Sequence, residues 1–154
     1  MSTEKISAIL AWRGPRYRFP IEEGKIREFA LATHAALPEY LDCPSPLIPP
    51  TFLTSAGFAW GYSLENPRDS GIDALGIDAR LLLNGEEEFI YHRSLPRARD
   101  VLWAQTRFTN VRVKEGARAG RMTLYTLATA FTDDEGNLVA EKIATVIEVH
   151  KSNE

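Results

Sequence analysis

Hydrophobic and polar residues follow two different periods along this chain, and the period changes near residue 80. In the first part, apolar residues recur at the spacing of one helix face between residues 22 and 33, which predicts a helix there. Glu22 and Glu23 occupy its first turn, where the helix dipole favours negative charge. Just before it, residues 16–21 alternate and predict a short strand.

A second helix is predicted from Thr51 to about Leu64, and almost all of its residues are apolar. A helix that is apolar all round is a buried one. Five prolines between positions 38 and 50 precede it and predict an ordered loop without regular ladders. The last of them, Pro50, suits the first turn of a helix because its missing N–H costs little there. Asn66-Pro67 ends the helix.

Beyond residue 80 the period becomes two. Strands are predicted at residues 88–92, 101–113, 121–132 and 139–149, with glycine-containing turns between the last three. A long antiparallel meander after one apolar helix predicts an α+β domain in which a curved sheet wraps a long buried central helix, the hot-dog arrangement. Such a sheet leaves an open edge strand, so we expect edge-to-edge pairing in a dimer.

Composition narrows the class of protein further. A length of 154 residues favours a single domain over residues 1–154. The net charge of −3 argues against a nucleic-acid partner. We expect no membrane segment and no secretory signal, because no apolar run reaches about 20 residues and the first residues lack a signal-peptide pattern. With Cys43 as the lone cysteine, neither a disulfide nor a metal site is expected, and the cytosol is the predicted compartment.

Five segments in order resemble the MaoC-like dehydratases. They are residues 23–30 (EGKIREFA), 48–52 (IPPTF), 83–95 (LNGEEEFIYHRSL), 121–123 (RMT) and the turn that leads into residues 138–141 (LVAE). Two departures stand beside them. Asn84 replaces the histidine of many relatives, and residues 96–100 lack the glycine that normally precedes Asp100.

The resemblance implies a hot-dog protein that acts on acyl-CoA or acyl-carrier-protein thioesters without a cofactor. Active relatives hydrate trans-2-enoyl thioesters to (R)-3-hydroxyacyl thioesters, or run the reverse, with an Asp and a His in a G-D-x-N-P-x-H motif. When Pro38 anchors that motif, Ala35 and Tyr40 replace the pair. The chain therefore resembles a non-catalytic small subunit that works with a second, catalytic MaoC-like subunit, or that pairs with itself.

Further residues are expected at the site. The amides near Thr51 to Leu53 would hold the thioester oxygen, or would simply be capped or hydrated. His92-Arg93 would meet the thioester's phosphates or the partner subunit, or would be solvated surface. Lys114, Arg118 and Arg121 would form a cationic lip for the CoA phosphates, although Glu115 reduces its charge. The expected substrate-binding residues are Tyr40, Pro50, Thr51, Phe52, Leu53, Asn84, Gly85, His92, Arg93, Arg118 and Arg121.

A stand-alone enzyme is the alternative. His34 would be a relocated base, although a histidine at a helix end is more often a dipole partner. Tyr40 could orient water, or simply pack in the loop. One of Glu86, Glu87 and Glu88 would point inward as the carboxylate of a thioesterase, although a charged edge strand is the commoner arrangement.

Overall fold

Five strands form one antiparallel sheet in a computed structural model that describes residues 1–57, 76–77, 79–116 and 120–150. Their order across the sheet is β1-β3-β4-β5-β2. The bounds are β1 Tyr17–Pro20, β2 Leu82–Tyr91, β3 Val101–Gly116, β4 Gly120–Thr132 and β5 Leu138–Val149. The three longest strands therefore lie side by side, and β1 and β2 form the two edges. The predicted meander is confirmed, but β2 begins at Leu82 and not at residue 88.

Three α-helices accompany the sheet: α1 Thr3–Ala11, α2 Glu23–Ala32 and α3 Pro38–Leu41. The prediction of a helix at residues 22–33 is confirmed within a residue at each end. Helix α1 was not predicted; it buries Ile9 and contacts β3. The proline-rich loop contains the single turn α3, which begins at Pro38, where the absent N–H is not needed.

The predicted central helix begins as a 3-10 turn over Phe52–Thr54 and continues as helix to residue 57. Phe52, Leu53 and Ala56 are fully buried, as expected for an apolar helix. The rest of the predicted helix, from residue 58, lies outside the described residues. No helix in the described part of the chain is long and apolar enough to cross a membrane.

The sheet has an inner face, defined as the one that packs against residues 50–54, here called the helix start. The side chains on this face take part in two apolar clusters, together with residues from the helices and loops. The first surrounds the helix start and contains Phe19, Ile26, Phe52, Leu102, Phe131 and Ala140. The second lies further along the strands under α1 and contains Ile9, Ile77, Phe108 and Tyr125. Each cluster excludes water from aromatic rings, which contributes most of its stabilisation.

A β-bulge at Gly85 interrupts the pairing of β2 with β5, because Asn84 pairs with Val146 and Glu86 with its neighbour Thr145. In a regular strand, residues 83 and 85 would share the face of Glu87. The extra residue instead returns Leu82 and Asn84 to the inner face and turns Leu83 outward, where it is 59% exposed.

Candidate functional site

The loop that carries the motif position leaves α2 through a Schellman motif. The Ala35 N–H donates to the Ala30 carbonyl at 2.8 Å, and the His34 N–H donates to the Leu31 carbonyl at 3.2 Å. His34 has a φ of 55°, a left-handed conformation that usually belongs to glycine. With Pro38 as the anchor, position 34 is that of the motif's glycine. The left-handed backbone at His34 is one that a glycine at that position would adopt readily.

When Pro38 anchors the alignment, this loop has Ala35 and Tyr40 where the motif has its Asp and His. Ala35 is half-buried and has no titratable group. Tyr40 is half-buried and packs against the first apolar cluster, so its ring fills space beside the helix start. His34 is exposed and does not line the cavity described below. Its role as a base stays a prediction, and its position suits a helix C-terminus.

The helix start is rigidly held. The N–H of Phe52 donates to the Pro49 carbonyl at 2.9 Å, and the N–H of Thr54 donates to the Thr51 carbonyl at 3.1 Å. Both amides are thus already engaged, and a thioester oxygen would compete for them. The Tyr91 hydroxyl donates to the Pro50 carbonyl at 2.8 Å, and burial raises the pKa of that phenol, which stays protonated.

A cavity of about 330 Å³ opens between the helix start and the inner face of the sheet. Volumes of this size hold small organic ligands or part of a larger one. Its lining is mixed. Described residues on its apolar side include Trp12, Leu53, Leu127, Phe131, Ala144 and Val146, and those on its polar side include Thr54, Asn84, Glu87, Thr106, Thr129 and Lys142.

The polar residues in this cavity are ordered by strand pairing. Thr106 pairs with Thr129, and Thr129 pairs with Lys142, so the three form one row across β3, β4 and β5. We call these three residues the polar row. It separates the two apolar clusters of the inner face. The hydroxyls of Thr106 and Thr129 lie 2.8 Å apart, which fixes both side chains.

Glu87 joins the polar row to the helix start. Its Oε1 lies 3.1 Å from the Lys142 Nζ, and the Thr54 hydroxyl lies 3.3 Å from its Oε2. The Lys142 side chain is 18% exposed and that of Glu87 is 39% exposed, so the pair is open to the cavity and not sealed in the core. Of the three consecutive glutamates, Glu87 is the one that bonds the helix start; Glu86 also lines the cavity.

Other predicted residues are divided between the two ends of the sheet. Asn84 lines the cavity, and Gly85 forms the bulge beside it. His92 and Arg93 follow Tyr91 at the helix-start end, where His92 pairs with Glu141 at 2.9 Å and Arg93 with Asp133 at 3.3 Å. Both side chains are therefore engaged at the surface, Arg93 in an ion pair and His92 in a hydrogen bond with a carboxylate.

The predicted cationic lip lies at the opposite end of the sheet. Arg121 is exposed at the start of β4, and ten residues separate it from Phe131 beside the helix start, a distance of about 34 Å along a strand. Arg118 lies outside the described residues. The structure thus does not bring Arg121 together with the helix start. Among the residues described, no cluster of three or more His, Cys, Asp or Glu is arranged to hold a metal ion.

The residues that sequence reasoning missed are those of the polar row and Thr54. Lys142 was the hardest to find, because β5 has apolar residues on both faces and its inner face is not evident from the pattern. The alternation Ala140, Lys142, Ala144 was the available signal: small residues on both sides leave room for the lysine.

Comparison with known proteins identifies the family and the fold. Over 97 residues the chain is 35% identical to the UPF0336 protein SCO4636 of Streptomyces coelicolor; the match covers 57% of this chain and 60% of that protein, less than two thirds of its length. The HadBC (3R-hydroxyacyl-ACP dehydratase) complex of Mycobacterium tuberculosis superposes with a TM-score of 0.63 at 21% identity, covering 88% of this chain and 96% of that one.

The ChsH1-ChsH2 complex of Mycobacterium tuberculosis superposes with a TM-score of 0.74 at 16% identity, covering 98% of this chain and 92% of that one. At such identities these structures show the fold alone, and they confirm the predicted α+β hot-dog fold. The family model for the FAS1-like dehydratase domain region matches residues 10–142. The chain therefore belongs to the FAS1-like dehydratase domain family and has the fold of the MaoC-like dehydratases.

Proposed function

We propose that this chain is a cytosolic, cofactor-free hot-dog subunit that binds the acyl part of a CoA or carrier-protein thioester and supports (R)-specific enoyl hydration or the reverse dehydration. A second MaoC-like subunit would supply the acid and base. One observation carries the proposal: in the loop anchored on Pro38, left-handed His34 stands at the motif's glycine position, while Ala35 and Tyr40 stand at the positions of its Asp and His.

Two further observations support a partner. HadBC and ChsH1-ChsH2 are both named as complexes of two different proteins. Strand β2 is also the last strand on its side of the sheet, so its outer backbone groups have no strand partner among the described residues. An unpaired edge of ten residues suits antiparallel pairing with a second hot-dog sheet.

The test is an enoyl-CoA hydration assay on the purified chain, on a MaoC-like protein that carries the intact motif, and on the two together after co-expression. We expect activity with the mixture and a co-migrating complex in size-exclusion chromatography. In the mixture, substitution of the partner's motif aspartate should abolish turnover. Turnover by the lone chain would contradict the proposal.

His34→Gly separates the two roles proposed for His34. If residue 34 serves only the backbone, glycine removes the strain of a left-handed non-glycine residue, and the free energy of unfolding rises by about 1 kcal/mol. Activity of the assembled complex should then be unchanged. If His34 is instead a base, the same variant would lose hydration activity. Denaturant unfolding and the hydration assay on one preparation distinguish these outcomes.

A thioesterase is the second candidate, and it is favoured by the contact between Glu87 and Thr54 beside the helix start. A carboxylate there would activate water for attack on the thioester carbonyl. Glu87→Gln should then abolish thiol release from acyl-CoA. Glu88→Gln is the matched control, because alternation along β2 places it on the opposite face. Equal rates in both variants would eliminate this candidate.

A further inference from the structure

A lysine on the inner face of this sheet needs an explanation, since its neighbours along β5 and in the adjacent rows of β4 are apolar. Lys142 stands between Ala140 and Ala144 on β5, and across the sheet it pairs with Thr129. The adjacent row on one side contains Phe131 and Ala140, and the row on the other contains Phe108 and Leu127. An ammonium group in such surroundings costs free energy, because it gives up water.

The partners of Lys142 account for only part of its hydrogen-bonding capacity. An ammonium group has three N–H donors. In the part of the chain that the structure describes, Glu87 is its one acceptor, at 3.1 Å. The remaining donors lie at the cavity, where Ala140 and Ala144 leave space around the side chain.

The threonine pair adds another donor to the polar row. Thr106 and Thr129 share one hydrogen bond at 2.8 Å, and either oxygen could be its donor. A pair of hydroxyls has two protons and uses one between them, so one O–H is left to bond a ligand. The Thr54 hydroxyl, in contrast, is within bonding distance of the Glu87 carboxylate. The row is therefore rich in donors toward the cavity.

Charge decides which acceptor fits. Glu87 pairs with Lys142, and Glu86 also lines the cavity, so an anionic ligand would meet two carboxylates beside the one ammonium group. A neutral oxygen, the carbonyl of a ketone or a hydroxyl, accepts the free donors without that repulsion. An unsubstituted hydrocarbon would leave them unsatisfied.

We propose that the polar row, with Glu87, is a specificity subsite that selects an acyl group bearing a further neutral oxygen, a keto or hydroxyl group beyond the C3 at which hydration acts, over an acyl group that is plain hydrocarbon there. The inference rests on the proposed acyl-thioester binding and names its substrate class. The apolar residues of the cavity, such as Leu127, Phe131 and Val146, would hold the carbon skeleton on either side of that oxygen.

The test compares binding of saturated thioesters, which cannot be hydrated. The probes are decanoyl-CoA, a set of oxo-decanoyl-CoA thioesters in which the keto group moves one carbon at a time from C4 outward, and the ω-carboxy analogue. We expect one keto position to bind at least about tenfold more tightly than decanoyl-CoA, the contribution of one hydrogen bond to a charged donor. The carboxylate should show no such gain.

Lys142→Met keeps the stem and removes the donors, so the ratio of keto-analogue affinity to decanoyl-CoA affinity should fall to about one. Lys25→Met is the matched control, since Lys25 is exposed and pairs with Glu28 on the surface. Should Lys142→Met fail to fold by circular dichroism, Thr129→Val provides the second test and should reduce the preference several-fold.

The outcomes separate this inference from the proposed function. If no acyl thioester binds the wild-type chain, alone or with its partner, both the proposed function and the subsite are wrong. If decanoyl-CoA binds as tightly as every keto analogue, or if the preference survives in the variants, the subsite alone is wrong. Tightest binding of the carboxylate would also overturn it, because the selected group would be an anion.

Discussion

The inner face of the sheet holds two carboxylates, Glu87 near the helix start and Glu148 toward the other end, and their surroundings differ. Glu148 is buried and accepts a hydrogen bond from the Tyr125 hydroxyl at 2.7 Å, with the His150 ring nitrogen 3.7 Å away. Glu87 is 39% exposed and borders the cavity. Glu148 is enclosed by its partners, whereas Glu87 has the open cavity beside it.

The difference teaches how to separate structural from functional polar groups on one sheet face. A buried carboxylate with buried donors stabilises the fold, because removing either partner leaves the other unsatisfied. An open pair with unused donors contributes little to stability and can bind a ligand. Glu148 and Tyr125 should therefore matter for folding, and Glu87 and Lys142 for binding.

The largest stability effect should come from Tyr125→Phe. Tyr125 is 1% exposed, and the substitution deprives Glu148 of its buried donor, so the free energy of unfolding should fall by about 2 kcal/mol. The melting temperature should fall by about 5 °C. Tyr40→Phe is the control, because no hydrogen bond of its hydroxyl occurs among the described residues. If the free energy of unfolding falls no further than in the control, the Tyr125–Glu148 hydrogen bond does not have the structural role assigned to it.

Gly85→Ala tests the bulge that connects the two regions. A Cβ at residue 85 would lie 3.1 Å from the Thr145 carbonyl oxygen and 3.1 Å from Ile147, so we expect a loss of about 1 kcal/mol in unfolding free energy. Gly24→Ala is the control; nothing lies within 4 Å of a Cβ in this helical position, so it should stabilise the protein. Equal effects of the two changes would argue against a crowded bulge.

Glu87→Gln should change the free energy of unfolding by less than about 0.5 kcal/mol, because the side chain is 39% exposed and the amide oxygen can still accept a hydrogen bond from Lys142. Urea unfolding curves of the variant and the wild type would show it. A loss as large as that of Tyr125→Phe would mean that the Glu87–Lys142 pair is structural, contrary to the distinction drawn above.

The smallest effect at neutral pH is expected from the titration of Tyr125, which changes the free energy of unfolding only at alkaline pH. Burial, and then the hydrogen bond and charge of Glu148, raise the pKa of Tyr125 above its ordinary value of 10.0. The folded state thus holds a proton that the unfolded state releases, so the contribution of Tyr125 to stability is constant below about pH 10 and is lost as the pH rises further. Tyr125→Phe should flatten this fall, although Tyr91 contributes in the same direction.

Much of the sheet could be predicted from sequence, because alternation over long strands with short turns is a strong signal. The face of each strand could not be assigned as easily. Strand β5 carries apolar residues in both directions, Ala140 and Val146 inward and Ile143 and Ile147 outward, so Lys142 had no evident direction until pairing with Thr129 placed it. The same ambiguity hid Thr106 and Thr129.

Around the candidate site, some local sequence signals predicted the structure and others did not. Pro38 anchored the motif loop, and the backbone at His34 agrees with that alignment. The start of β2 was missed, because Asn84-Gly85 is typical of a turn and here lies inside a strand as a bulge. Helix α1 was missed too, because a helical period is hard to detect in as few as nine residues.

The bulge at Gly85 also affects how relatives should be aligned. Gly85 is one extra residue that the bulge accommodates locally. The residues on both sides of it therefore keep the sheet faces they would have without it. A relative with a regular strand therefore needs a one-residue gap opposite Gly85. Without that gap, the residue matched to Asn84 comes from the wrong face of the sheet, and an apparent substitution in the cavity is an error of one position.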